Sequence, residues 1–219
     1  MDNKNILTST FGWLFVGLLV CFGVSFFTTY NLDILNVAFL WAGSSTVFIY
    51  VILELVVVVA LSFFIKKLPP IIAKILYILY TALTGLSLTG VVLVYTTKSI
   101  AFVFLATAII FGVFALVGKY SKLDLSKWST YLFIALLGIL ILEIINIFVL
   151  NETLDMITSI IGIVVFAGYV AYDIKKVIVL SDSAVSDESN IGIYCAFQLF
   201  LDIINIFLDL IRLFGRRND

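Results

Sequence analysis

The chain has 219 residues, of which 63% are hydrophobic and 12% are charged, and its mean hydropathy is +1.23. A soluble domain is about half apolar and a quarter charged, so the composition predicts an integral membrane protein. The net charge of −1 argues against a nucleic-acid partner, which calls for a basic patch. The absence of histidine removes the commonest metal ligand and the usual base of a serine or cysteine nucleophile.

Apolar stretches of the length that a spanning helix needs, ~20 residues, recur along the whole chain. They are continuous rather than alternating, which favours helices over a β-barrel. The first stretch is too long for an ordinary signal peptide, so we interpret it as a spanning helix. We predict an all-α membrane protein with one multispan domain, 1–219, and seven helices at about 11–30, 44–65, 71–95, 99–118, 128–150, 154–180 and 191–214.

The breaks between these stretches have the chemistry of loops. Two lysines and then Pro69-Pro70 separate the second helix from the third, since proline favours a helix start and disfavours its interior. The segments 119–127 and 181–190 are polar connections. We expect 31–43 to be a short interfacial segment.

Lysine and arginine mark the cytoplasmic side of a membrane protein. With seven spans, the side of the N-terminus collects nine of the 13 basic residues: Lys4, Lys66, Lys67, Lys74, Lys119, Lys122, Lys127, Lys175 and Lys176. The N-terminus is therefore expected to be cytoplasmic. Three arginines at the C-terminus oppose this assignment, and a re-entrant last segment would also place the tail in the cytoplasm.

The seventh predicted helix carries a polar stripe. Its members are spaced by four, three, four and three residues and so share one helical face: Gln198, Asp202, Asn205, Asp209 and Arg212. A polar stripe on an otherwise apolar helix must face protein or water, so this helix is expected to lie centrally. Asp209 and Arg212 are expected to pair, and Asn205 to hydrogen-bond between helices. Asp202 has no cation one turn away.

The sixth predicted helix places Asp173 on a face with Gly162, Tyr169 and Lys176. Asp173 can simply pair with Lys176, three residues on, or it can act with Asp202. The two aspartates lie ~10 Å and ~17 Å deep in their spans. Side chains lean toward the N-terminus of their own helix, and these two helices are antiparallel. The difference in depth between the two carboxyl groups is therefore smaller than that between their backbones. We predict that the two carboxyl groups come within hydrogen-bonding reach.

Two glutamates lie inside other spans, Glu54 in the second and Glu143 in the fifth, where Asn146 shares its face. Each is either a wall of a hydrated cavity or a neutral carboxylic acid bonded to a neighbour, a state that burial encourages. We favour the cavity for Glu54 and leave Glu143 open.

Paired intramembrane aspartates serve three classes of protein. The first is an ion pathway, since carboxylates and amides suit calcium, a passing ion needs a weak site, and two close carboxyls share a proton. The second is an aspartyl intramembrane protease, whose Gly-x-Gly before the second aspartate is replaced here by Phe200-Leu201. The third is a retinal photoreceptor, whose mid-membrane lysine the last helix lacks. We predict no enzyme.

Five short motifs, quoted by position, carry a resemblance to a known family: Ala-Tyr-Asp-Ile at 171–174, Phe-Leu-Asp-Ile-Ile-Asn-Ile-Phe at 200–207, Leu-Ile-Arg-Leu-Phe-Gly at 210–215, Ile-Leu-Glu at 52–54 and Ile-Asn-Ile-Phe at 145–148. Together they resemble the Bax-inhibitor-1 family, the transmembrane Bax inhibitor motif proteins, and in particular its bacterial members. The resemblance implies seven helices in which two three-helix layers enclose a central seventh.

The resemblance also implies a pH-sensitive calcium leak in which Asp173 and Asp202 are the sensor and the constriction, with Glu54 as a further wall. Some members latch the aspartate pair with a basic residue on the second helix, and Lys66 and Lys67 lie near that place.

We therefore predict a cation leak gated by protonation of Asp173 and Asp202, which would bind calcium weakly and transiently without a resident cofactor. The supporting polar residues are Glu54, Asn205, Gln198, Tyr169 and Glu143. The predicted partners are the lipid bilayer and the calcium ion, and the predicted location is a bacterial plasma membrane. A proton-coupled cation exchanger and a non-transporting regulator that binds other membrane proteins are the alternatives.

Overall fold

The computed structural model describes residues 4–31, 45–122, 127–182 and 188–218. In these residues the chain forms seven α-helices and one short 3-10 turn, Ile65–Lys67, with no β-strand. The helices are α1 Lys4–Tyr30, α2 Ser45–Phe64, α3 Pro70–Val94, α4 Thr97–Tyr120, α5 Trp128–Val149, α6 Glu152–Asp182 and α7 Glu188–Phe214. The predicted all-α architecture with seven helices is confirmed.

The observed helix ends follow local chemistry. Pro70 begins α3, because proline's fixed φ suits the first helical position. Thr96 caps α4 by accepting a hydrogen bond from the Ser99 N–H. The largest departure from prediction is α1, which begins at Lys4 rather than at residue 11 because a helix can continue beyond its apolar run. The predicted interfacial segment 31–43 lies, after its first residue, outside the described residues.

The chain divides into two compact units. The first comprises Met1–Val94, Val185–Phe197 and Asn218, and in it α1 and α2 both pack against α3. Asn190 of α7 donates to the Leu68 carbonyl before α3 at 2.5 Å, and the Asn218 N–H donates to the Val94 carbonyl at its end at 2.8 Å. The start of α7 therefore lies beside the start of α3, and Asn218 lies beside the end of α3.

The second unit comprises Tyr95–Ala184 with Gln198–Arg217, where α4 and α5 both pack against α6. The Lys175 ammonium ties α6 to the end of α4 by donating to the Ser121 carbonyl at 2.9 Å. The Thr96 N–H donates to the Arg216 carbonyl at 2.9 Å, which fixes the C-terminal tail at the start of α4.

Six helices of the described chain are long and apolar enough to cross a membrane. Among them α7 is the most enclosed, with 56% of its span buried, whereas α5 has 6% and displays leucine, isoleucine and phenylalanine outward. This enclosure follows from the polar stripe, which lipid would not solvate. The two three-helix layers and the single domain stay predictions.

Candidate functional site

The two predicted aspartates are among the most buried polar residues of the second unit. Asp173 lies two turns before the end of α6 and is 2% exposed, while Asp202 lies in the middle of α7 and is 4% exposed. A carboxyl group buried this completely is costly unless a partner or a proton compensates its charge. The surroundings of the two carboxyl groups therefore decide what they can do.

Asp173 has a cation beside it. The Lys176 ammonium lies 3.6 Å from Asp173 Oδ1, which confirms the pairing anticipated from their spacing. The same ammonium donates a hydrogen bond of 2.7 Å to Gln198 Oε1 and lies 5.7 Å from the centre of the Tyr172 ring. Lys176 thus connects the carboxylate of α6 to the first polar residue of the α7 stripe.

Asp202 belongs to the same cluster. Its carboxyl group lies within electrostatic range of both Asp173 and Lys176, and the Tyr169 hydroxyl lies within range of both carboxyl groups. Asp202 Oδ2 accepts no hydrogen bond from the described residues, and Asp173 Oδ1 has the Lys176 ammonium only at ion-pair distance. These oxygens can accept a proton or contribute to a cation site. A direct contact between the two carboxyl groups stays a prediction.

The far end of the α7 stripe forms a second ionic cluster. The Arg212 guanidinium lies 3.6 Å from Asp209 Oδ1, as predicted, and donates to Glu143 Oε1 of α5 at 2.9 Å. Gly162 of α6 makes room for the Asp209 carboxylate, since a Cβ there would collide with it. Glu143 is therefore an ion-pair partner of Arg212. This pair was missed because the sequence does not show which helices are neighbours.

A cavity of about 430 Å³ opens at this cluster. It lies at the turn between α5 and α6, and its polar lining consists of Glu143, Asn146, Asn151, Glu152, Asp155 and Arg212. Acidic side chains outnumber the single arginine on its wall. The cavity therefore presents a net negative lining next to the end of the α7 stripe.

The structure defines the hydrogen bonds of two supporting residues, Asn205 and Glu54. The predicted interhelical hydrogen bond of Asn205 is wrong, because its amide donates to the Leu201 carbonyl of its own helix at 2.7 Å. Glu54 lies in the first unit and accepts hydrogen bonds from the Ser87 hydroxyl at 2.8 Å and the Thr84 hydroxyl at 3.2 Å. Its role as a wall of the pathway stays a prediction.

The described residues contain no group of three histidine, cysteine, aspartate or glutamate side chains that could hold a metal ion. A cation at Asp173 and Asp202 would therefore be held by two carboxylates and by neutral oxygens. Such a set suits an ion that passes rather than one that stays. The side chain of Lys66 lies outside the described residues, and a latch role for Lys66 or Lys67 stays a prediction.

Known proteins are similar to this chain over nearly its full length. A family model described as the inhibitor of apoptosis-promoting Bax1 matches residues 3–219. The inner membrane protein YbhL of Escherichia coli K12 is 36% identical over 220 residues, which cover 98% of this chain and 92% of YbhL. A protein of Borreliella burgdorferi is 33% identical over 224 residues, 100% of this chain and 95% of its own length. This chain is a multi-pass integral membrane protein, and none of these names is that of an enzyme.

Proposed function

Because the chain belongs to the family of the inhibitor of apoptosis-promoting Bax1, the Bax inhibitor-1 family, we propose that it is a pH-sensitive leak channel for calcium or a similar cation. Protonation of Asp173 and Asp202 gates the leak. The protein lies in a bacterial plasma membrane with its N-terminus in the cytoplasm, as the distribution of lysine indicates.

One observation carries this proposal: Asp173 and Asp202 are both buried, Asp202 Oδ2 has no hydrogen-bond donor among the described residues, and Asp173 Oδ1 has only the Lys176 ammonium at 3.6 Å, beyond hydrogen-bond distance. A site built only for stability would satisfy both oxygens, because an unsatisfied buried acceptor costs about 1–3 kcal/mol. A proton or a passing cation would satisfy them. Two neighbouring carboxyls also titrate as a unit, which makes the pair a proton switch in a chain that contains no histidine.

The polar stripe of α7 supports a route for the ion inside the second unit. It begins at Gln198, beside the aspartate pair, and ends at Arg212, where the acidic cavity opens. An acidic lining concentrates cations at a pore mouth, and weak sites along the way let an ion leave again. This arrangement favours cation passage over a purely structural role for the stripe.

The test is calcium flux into liposomes that contain the purified protein, measured across a pH series. Wild type is compared with Asp173→Asn and Asp202→Asn, each of which keeps the size of the side chain and removes its charge. Asp182→Asn is the matched control, because Asp182 is exposed at the end of α6. We expect the wild type and the control to share one pH-dependent flux, and both Asn variants at the pair to lose the pH dependence.

Three results would contradict the proposal. Flux equal to that of empty liposomes in the wild type at every pH would exclude the leak. Unchanged pH dependence in Asp173→Asn and Asp202→Asn would exclude the pair as the sensor. Flux that requires an opposing proton gradient would establish a proton-coupled exchanger, which the same carboxylates could serve.

A further inference from the structure

The aspartate pair already has a cation of its own. The Lys176 ammonium lies 3.6 Å from Asp173 Oδ1 and within electrostatic range of Asp202. An incoming calcium ion would seek the same carboxylate oxygens, since ionised carboxylates are its preferred ligands. Two cations cannot share these oxygens without strong repulsion at such short range. Calcium and Lys176 therefore compete.

The geometry of Lys176 allows it to give way. Its separation from Asp173 exceeds the length of a strong charge-assisted hydrogen bond, whereas its bond to the neutral Gln198 Oε1 is short, at 2.7 Å. Its side chain is 22% exposed, whereas that of Asp173 is 3% exposed. A lysine has a flexible four-carbon stem and a point charge that can leave one partner and keep another. The neutral glutamine can hold the ammonium when Asp173 releases it.

We propose that Lys176 is the resident counter-ion of the aspartate pair, and that a permeating divalent cation binds by displacing its ammonium from Asp173 while Gln198 retains it. This inference rests on the proposed function, because it assigns a selectivity-determining residue to the same site. The groups near the ammonium include Asp173, Asp202, Gln198 and Tyr172.

Competition of this kind weakens calcium binding and thereby speeds release. A pore conducts when its site binds the ion enough to admit it and loosely enough to let it go. Removal of the resident charge should therefore tighten calcium binding by about tenfold, the scale expected for one charge at short range in a partly screened site. The maximal flux should fall, because a tightly held ion leaves slowly.

The test uses the full-length protein in lipid nanodiscs and measures binding of radioactive calcium at equilibrium. Lys176→Met removes the charge and keeps the length of the side chain, while Lys176→Arg keeps the charge. Lys175→Met is the matched control, because the neighbouring Lys175 loses the same charge but bonds to the Ser121 carbonyl, away from the pair. We expect a dissociation constant about tenfold lower in Lys176→Met alone, with Lys176→Arg and Lys175→Met at the wild-type value.

The inference is overturned if Lys176→Met binds calcium as the wild type does, if Lys175→Met tightens binding equally, or if no variant binds calcium. Should Lys176→Met fail to fold, Lys176→Gln takes its place with the same expected value, since its amide can still donate to Gln198. Flux measured in liposomes separates the two claims. Tighter binding without any wild-type flux defeats only the leak, and a pH-dependent flux with unchanged binding in Lys176→Met defeats only the role of Lys176.

Discussion

Gly118 of α4 packs against the backbone of α6 at Ala171, which lies two residues before Asp173. A Cβ on Gly118 would collide with the Ala171 carbonyl oxygen and lie 3.0 Å from its carbonyl carbon and Cα. These are backbone atoms, so no rotamer change can relieve the collision and the two helices must separate. We therefore expect Gly118→Ala to destabilise the protein.

The magnitude follows from two opposing terms. Alanine gains about 1 kcal/mol over glycine in a helix interior, and overpacking costs about 1–3 kcal/mol. Gly112 of the same helix isolates the first term, because a Cβ there would meet nothing within 4 Å. Gly112→Ala should thus be neutral or stabilising, and the free energy of unfolding of Gly118→Ala should be about 1–3 kcal/mol lower than that of Gly112→Ala. In a chain of this size, that difference lowers the melting temperature by about 2–4 °C per kcal/mol.

The assay is thermal unfolding of the two purified variants in one detergent, followed by the loss of helical circular dichroism. A Gly118→Ala variant that melts at or above the temperature of Gly112→Ala would refute the close packing of α4 on α6. A lower melting temperature with unaltered calcium flux would show that the contact stabilises the fold without setting the site.

Three further predictions concern other contacts. Tyr77→Phe removes a hydrogen bond of 2.9 Å from the Tyr77 hydroxyl to an α1 carbonyl and should lower the free energy of unfolding by about 1 kcal/mol. The control is Tyr131→Phe, which should melt as the wild type does because Tyr131 is 72% exposed. Glu54→Gln keeps one acceptor oxygen for one of the two α3 hydroxyls, and its amide N–H can donate to the oxygen of the other, so this variant should melt near wild type. Glu54→Ala should lower the free energy of unfolding by about 1–3 kcal/mol, and equal melting of the two variants would contradict these bonds. Gly162→Ala should lower the free energy of unfolding by about 1–3 kcal/mol, because the new methyl group displaces the Asp209 carboxylate. Adding Asp209→Ala should restore part of that loss, and strictly additive losses would show that the two residues do not touch.

The helices could be predicted from the sequence because each is a continuous apolar run with polar breaks. Pro69-Pro70 marked the start of α3 to within one residue. The stripe of α7 was equally legible, since a period of three and four residues fixes a shared face without knowledge of the neighbours. The pairs three residues apart, Asp173 with Lys176 and Asp209 with Arg212, followed from the same geometry.

Contacts between helices could not be predicted in this way. The bond from Lys176 to Gln198 depends on the rotation of α6 against α7, and the pair of Arg212 with Glu143 depends on α5 lying beside α7. The interhelical hydrogen bond predicted for Asn205 was wrong for a different reason, because a carbonyl of its own helix was available one turn away. Arg212 and Glu143 both lie near the C-terminal ends of their helices, and comparing their depths in the membrane would have suggested that they pair.

The central claim is that Asp173 and Asp202 form a single proton-sensitive site. The most direct measurement is the pH dependence of calcium flux in Asp173→Asn, Asp202→Asn and the double variant, with wild type as the fourth corner of the cycle. Groups that act as a unit are strongly non-additive, so the double variant should match either single variant, with no remaining pH dependence. Independent and additive effects of the two substitutions would contradict the account.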